Sequence, residues 1–157
     1  MLIRITKNTN KLHILKYIRN NGTETWMYSD DFFIQHDLSH FALETILQYR
    51  TAFNGMINNG MNINDFESKE REASLNITDE AWYAENMANL FLLEIVQGEF
   101  EDFNQVQQQT FASCKHDFPI ITLTDSKIHA TRNYLRHLLL QWKELLPNET
   151  LELTFNL

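Results

Sequence analysis

The stretch Leu12-His13-Ile14-Leu15-Lys16-Tyr17-Ile18-Arg19-Asn20-Asn21-Gly22-Thr23-Glu24-Thr25-Trp26-Met27-Tyr28 consists of two β-rich runs around Asn20-Asn21-Gly22. Asn-Gly between such runs is a strong hairpin signal, because turn residues there must accept positive φ. A third β-rich run, residues 2–7, precedes them across Asn8-Thr9-Asn10. Together the three runs predict an antiparallel meander. One face would be apolar and covered by helices, and the other wet, carrying Arg4, Lys16 and Arg19.

Helical spacing takes over further along. Candidates cover residues 36–49, 51–59, 81–96 and 102–114, with residues 67–76 as a charged connector. Thr78 suits an N-cap, with Asp79 and Glu80 complementing the helix dipole. Residues 81–96 are apolar almost all round, which predicts a central buried helix stopped by Gly98. Thr124 or Asp125 caps a last helix whose Ile128, Thr131, Leu135, Leu138, Leu139, Trp142 and Leu146 share one apolar sector, and Pro147 ends it. The tail Leu151-Glu152-Leu153-Thr154-Phe155 alternates with period two and is expected to return as a fourth strand beside the meander. The expected fold is therefore α+β in a single domain, 1–157: an N-terminal three-stranded meander joined by a C-terminal strand and packed against four to five helices.

With 157 residues, 43% of them hydrophobic and 11 Phe, 5 Tyr and 3 Trp, the chain can build a core without disulfide or metal staples. Its net charge of −8 argues against a nucleic-acid or anionic-membrane binder. The charge is unevenly spread. Residues 1–28 carry Arg4, Lys7, Lys11, Lys16 and Arg19 against Glu24, whereas acids far outnumber Lys69 and Arg71 over residues 65–102. Such separation belongs to solvated faces, or to a surface that takes a protein partner or a second copy of the chain. Cys114 is the only cysteine, so no internal disulfide or Cys-x-x-Cys site exists, and a reduced, cytoplasmic thiol is expected. No apolar leader opens the sequence and no apolar run approaches a membrane span.

The chemistry concentrates in Gln35-His36-Asp37-Leu38-Ser39-His40-Phe41-Ala42-Leu43-Glu44. On a helix His36, His40 and Glu44 lie at about 0°, 40° and 80°, stacked on one face over two turns. Imidazoles at i and i+4 can aim nitrogens at one divalent ion, so His36, His40 and Glu44 are the candidate metal ligands and zinc the candidate metal. Asp37, about 100° from His36 on the same wheel, is the candidate catalytic group. It would act as a base for metal-assisted hydrolysis or orient a ligand from behind.

The motif resembles the His-Glu-x-x-His helix of zinc peptidases, with Asp37 one methylene shorter than the glutamate of that family. His-Asp-x-x-His is also similar to the zinc helix of the mitochondrial ubiquinone-biosynthesis scaffold family, although Glu44 stands where that family has Gly. Both likenesses are short and imply no more than a zinc helix. Over most of its length the chain is similar to small bacterial α+β proteins with an N-terminal β-meander, a His-Asp-x-x-His-x-x-x-Glu helix and a C-terminal helix-strand ending. That resemblance implies the fold and no particular activity.

Two further readings stand beside the metal. If Leu38, Phe41, Ala42, Leu43, Ile46 and Tyr49 cover the buried sectors, then His36, Asp37, His40, Glu44 and Gln48 form a solvated strip. Alternatively, the same groups make a His-carboxylate network without metal. For a remote ligand, Glu94 among Met87, Leu90 and Phe91 comes first, unless it emerges at an exposed seam; Glu85, one turn before Asn89, comes next. His13 suits a strand face, His129 and His137 the polar face of the last helix beside Arg132 and Arg136, and His116-Asp117 a loop. Dinucleotide, P-loop and nucleophile-elbow motifs are absent, and Cys114-Lys115-His116 is no diagnostic thiol site.

Overall fold

A computed structural model describes residues 1–9, 12–66, 77–113 and 119–156 of the chain. The connector expected at 67–76 and the Cys114, His116 and Asp117 readings lie outside the described residues. Strands β1 (Leu2–Thr6), β2 (His13–Ile18) and β3 (Glu24–Ser29) form the antiparallel meander, and β4 (Thr150–Thr154) pairs antiparallel with β1. The sheet order is β3-β2-β1-β4. Among the described residues five α-helices complete an α+β fold: α1 (Asp31–Leu47), α2 (Phe53–Asn58), α3 (Asp79–Gln97), α4 (Phe103–Ala112) and α5 (Asp125–Glu144). A 3-10 turn spans Ile63–Asp65.

Period-two alternation sorts the sheet. Ile3, Ile5, Leu15, Tyr17, Leu151 and Leu153 are buried, whereas Arg4, Lys16 and Glu152 lie in register on the other face. Each inward side chain is worth roughly 1.5–3 kcal/mol, and the exposed Arg4–Glu152 pair at 2.7 Å at most about 1 kcal/mol. The apolar face therefore holds the register, since a one-residue slip would expose all of it.

Two expectations about the meander need correction. In its turn only Gly22 takes positive φ, +84°. Gly22 N–H donates to Arg19 O and Arg19 N–H to Thr23 O, both at 2.9 Å, which makes a three-residue loop. Asn21 stays at negative φ and its Oδ1 accepts the Thr23 N–H at 3.0 Å. Arg19 is not on the wet face: it is buried, and its guanidinium donates to the carbonyls of Ile57, at 2.6 Å, and Met61. The cation there ties β2 to the last turn of α2 and to the chain that follows it, sharing Ile57 O with the Gly60 N–H.

The central helix is α1, which packs against both α3 and α5. It begins five residues before the expected start, at an N-cap Asp30 whose Oδ1 accepts the Phe33 N–H at 3.1 Å. Phe32 and Phe33 in its first turn are exposed, so this turn follows no amphipathic pattern. Helix α3 is capped by Thr78 as expected, yet it is not buried all round: Leu93, Ile95 and Val96 are 44%, 41% and 86% exposed. Apolar character there marks surface as well as core.

The link between α1 and α2 is tight. A Cβ on Gly55 would sit 2.1 Å from the backbone oxygen of Arg50, and a backbone atom cannot swing aside. Gly55→Ala is expected to cost at least about 1–3 kcal/mol, the range for overpacking. Urea unfolding should show a lower midpoint at unchanged slope.

Candidate metal centre

Helix α1 brings His36 and His40 together edge-on, with ring centroids 4.7 Å apart. Helix α3 is fixed opposite them by polar ties. Ser39, fully buried, donates its hydroxyl to Ala88 O at 3.0 Å. Glu80 accepts the N–H groups of Arg50 and Thr51 at 2.9 and 2.7 Å, and Thr78 Oγ1 donates to Thr51 O at 2.8 Å. This docking sets Glu85, in the second turn of α3, over the imidazole pair.

The Glu85 carboxylate faces both rings, with Oε2 3.1 Å from His40 Nε2 and Oε1 3.5 Å from His36 Nε2. One ligand atom from each of His36, His40 and Glu85 lies within 4.8 Å of the others, the one such group among the described residues. Donors about 2.0–2.1 Å from a tetrahedral zinc stand roughly 3.3 Å apart, near the two carboxylate contacts, although each of these uses a different Glu85 oxygen and one ion would draw the group together.

Glu44 lies behind this group. Its side chain is fully buried, with Oε1 3.2 Å from His40 Nδ1 and Oε2 accepting the Asn54 N–H at 2.9 Å. Asp37 stands behind the other ring, its Oδ1 3.9 Å from His36 Nδ1. Each imidazole thus turns Nε2 toward Glu85 and Nδ1 toward a carboxylate of its own helix. At His40 the hydrogen-bonded Glu44 carboxylate at Nδ1 favours the tautomer whose Nε2 carries the lone pair, the arrangement that metal-bound histidines use; Asp37 acts on His36 by charge rather than by a hydrogen bond. Asn89 Nδ2 in turn donates to Glu85 Oε1 at 2.8 Å and holds that carboxylate in place.

Electrostatics bind the cluster even without a cation. Burial opposes charge on His40, but Glu44 and Glu85, one on each ring nitrogen, override it and push its pKa up to about 10. His36 is raised on the same balance, with Asp37 and Glu85 outweighing burial. Glu85 is held far below the usual carboxylate range, because the two histidines more than offset its burial. Burial pushes Asp37 and Glu44 up, against the neighbouring imidazoles.

A cavity of about 570 Å³ opens beside the group, with His36, Asp37, His40 and Glu85 in its wall. The face is therefore no solvated strip: His40 is 2% exposed and Glu44 not at all. Other residues singled out from sequence go elsewhere. Glu94 is buried, and instead of facing the histidines or an exposed seam it pairs with Arg132 at 2.8 and 2.6 Å. Arg132, expected on a polar face, is buried with it. His13 is buried with its ring edge-on to Trp142, while His129 and His137 are exposed. The part of Asn54, a backbone N–H from the next helix, carries no signal in the sequence.

Comparisons with protein-family models, with curated proteins and with solved structures find no match to this chain. Among the described residues no helix is long and apolar enough to cross a membrane.

Proposed function

We propose that this protein binds one divalent cation, zinc, through Nε2 of His36, Nε2 of His40 and the carboxylate of Glu85, and that the centre serves metal-assisted hydrolysis. The observation that carries this reading is the two-sided environment of both rings, with Nε2 toward a shared carboxylate and Nδ1 toward a private one. Two imidazoles and one carboxylate with open positions are a donor set of catalytic zinc, and also of non-haem iron(II). Zinc bound there supplies Lewis-acid polarisation of a substrate carbonyl. Glu44 fixes the His40 ring. Asp37, a carboxyl raised by burial at the cavity wall, is placed to hold or move a proton beside His36.

Elemental analysis of untagged protein tests the ligand set. The wild type is expected to retain about one equivalent of metal, with zinc in excess of iron, and the His36→Ala/His40→Ala variant none. Equal metal in both defeats the reading. Glu85→Ala should lose the metal as the histidine variant does, whereas Glu44→Gln should weaken affinity only about 10- to 100-fold, as outer carboxylates do. The reverse ranking would make Glu44 the third ligand.

A second reading, a surface for a protein partner or a second copy, is favoured by the exposed Leu93, Ile95 and Val96. Light scattering should then show association that Val96→Lys abolishes and chelator leaves unchanged. A concentration-independent monomer counts against self-association.

A further inference from the structure

We propose that the cavity beside the His36–His40–Glu85 group accepts a small ligand with one oxygen-bearing head, which takes an open position on the cation, and an apolar alkyl or aryl body. This rests on the metal reading above and adds the class of molecule the centre takes.

The cavity is polarised. Its titratable groups, His36, Asp37, His40 and Glu85, belong to the facing sides of α1 and α3. The remaining wall is supplied mainly by Met27, Phe33, Phe53, Met56, Phe66 and Trp82, from β3, α1, α2, the segment after the 3-10 turn, and the start of α3. Its volume of about 570 Å³ is that of a small-molecule site. Phe53 brings the apolar wall directly to the ligands, its ring centroid 5.3 Å from that of His40. A body reaching outward from the cation therefore meets hydrocarbon at once.

Among the described residues no Lys or Arg lines the cavity. The described wall therefore gives a body with many polar groups few partners for the water it would lose. Ser29 is the exception within the wall. It is 3% exposed, and its hydroxyl has no hydrogen-bond partner among the described residues. Three protein donors leave a zinc ion at least one position for the oxygen-bearing head.

Hydroxamates supply the probe, because the head is constant and the body can be varied. Acetohydroxamate, hexanohydroxamate and benzohydroxamate would be titrated by calorimetry into full-length protein, zinc-loaded and zinc-free. With zinc, affinity should rise about fourfold for each added methylene, and benzohydroxamate should bind at least roughly tenfold more tightly than acetohydroxamate. Without zinc, binding should be lost.

Ala81→Phe, which adds a ring to the cavity wall from α3, should keep zinc and acetohydroxamate affinity while removing the gain from longer bodies. A flat series on zinc-loaded wild type overturns the ligand class and leaves the metal reading standing. Equal binding with and without zinc overturns the role of the head. Failure to load zinc at all removes the metal reading, and this inference with it. The wild-type series decides the matter even if Ala81→Phe fails to fold.

Discussion

Free zinc at about 100 times its dissociation constant is expected to raise the unfolding free energy by about 2.7 kcal/mol, the linkage value for a ligand that binds only the folded state. At about 2–4 °C per kcal/mol for a chain of this size, the melting temperature should rise by roughly 5–11 °C, and chelator should reverse the rise. The physical basis is that His36 and His40 lie on α1 whereas Glu85 lies on α3, so the cation bridges two helices that unfolding separates. The unfolded chain keeps no such juxtaposition across the interval from His40 to Glu85. The His36→Ala/His40→Ala variant should show no zinc-dependent shift. Equal shifts in variant and wild type would place the binding elsewhere and remove the proposed centre. The cation must also displace the proton that the paired carboxylates hold on His40, so the shift should be smaller at lower pH.

Glu94→Leu is expected to destabilise the protein by about 3 kcal/mol, the lower end of the 3–5 kcal/mol range for breaking a buried ion pair from one side. Arg132 donates two hydrogen bonds to Glu94, and both residues are less than a tenth exposed. Removing the carboxylate leaves a guanidinium away from water. The loss sits at the low end because Glu99, itself partly exposed, remains 2.9 Å from Arg132 Nη1 and retains part of the compensation. Glu94 Oε1 also accepts the Phe100 N–H at 2.9 Å, so the chain leaving α3 loses an anchor as well. The double variant Glu94→Leu/Arg132→Met should recover most of the stability, since buried pairs exchanged for apolar residues of similar volume are often neutral or better. Denaturant unfolding of the two single variants and the double gives the coupling energy. A loss under about 0.5 kcal/mol for Glu94→Leu would mean that the pair is solvated and contributes as surface pairs do.

These two carboxylates also show where sequence reading reached and where it stopped. Both Glu85 and Glu94 lie on a helix whose boundaries were legible from Thr78, Asp79, Glu80 and Gly98. Glu94 ranked first as a remote ligand because its neighbours Leu90 and Phe91 are apolar, and a carboxylate among them needs a partner. That inference about burial was sound. The partner is Arg132, a residue placed in solvent by the helical wheel of α5, because the wheel cannot see that Glu94 of α3 and the ring of Phe103 of α4 meet it there. Glu85 ranked second as a remote ligand, and its carboxylate, half in water, is the one that faces the imidazoles.

Helix α1 gives the complementary case. Its histidine spacing was visible, and i and i+4 residues must be neighbours on any helix. Its first turn was not, because Phe32 and Phe33 are exposed and give the pattern no phase.

From local rules alone the sequence settles the period-two strands and their return partner, the N-cap at Thr78, and the placing of His36 and His40 side by side on one face. Those features depend on backbone geometry within a few residues, or on one apolar face that has only one way to be buried. Thr124 rather than Asp125 as the cap of α5 is decided by the structure. Which carboxylate meets the imidazoles is decided by how α1 lies on α3. Ser39, Glu80 and Thr78 set that packing through bonds spanning dozens of residues, and a helix rotation of one residue would bring a different side chain into the same place.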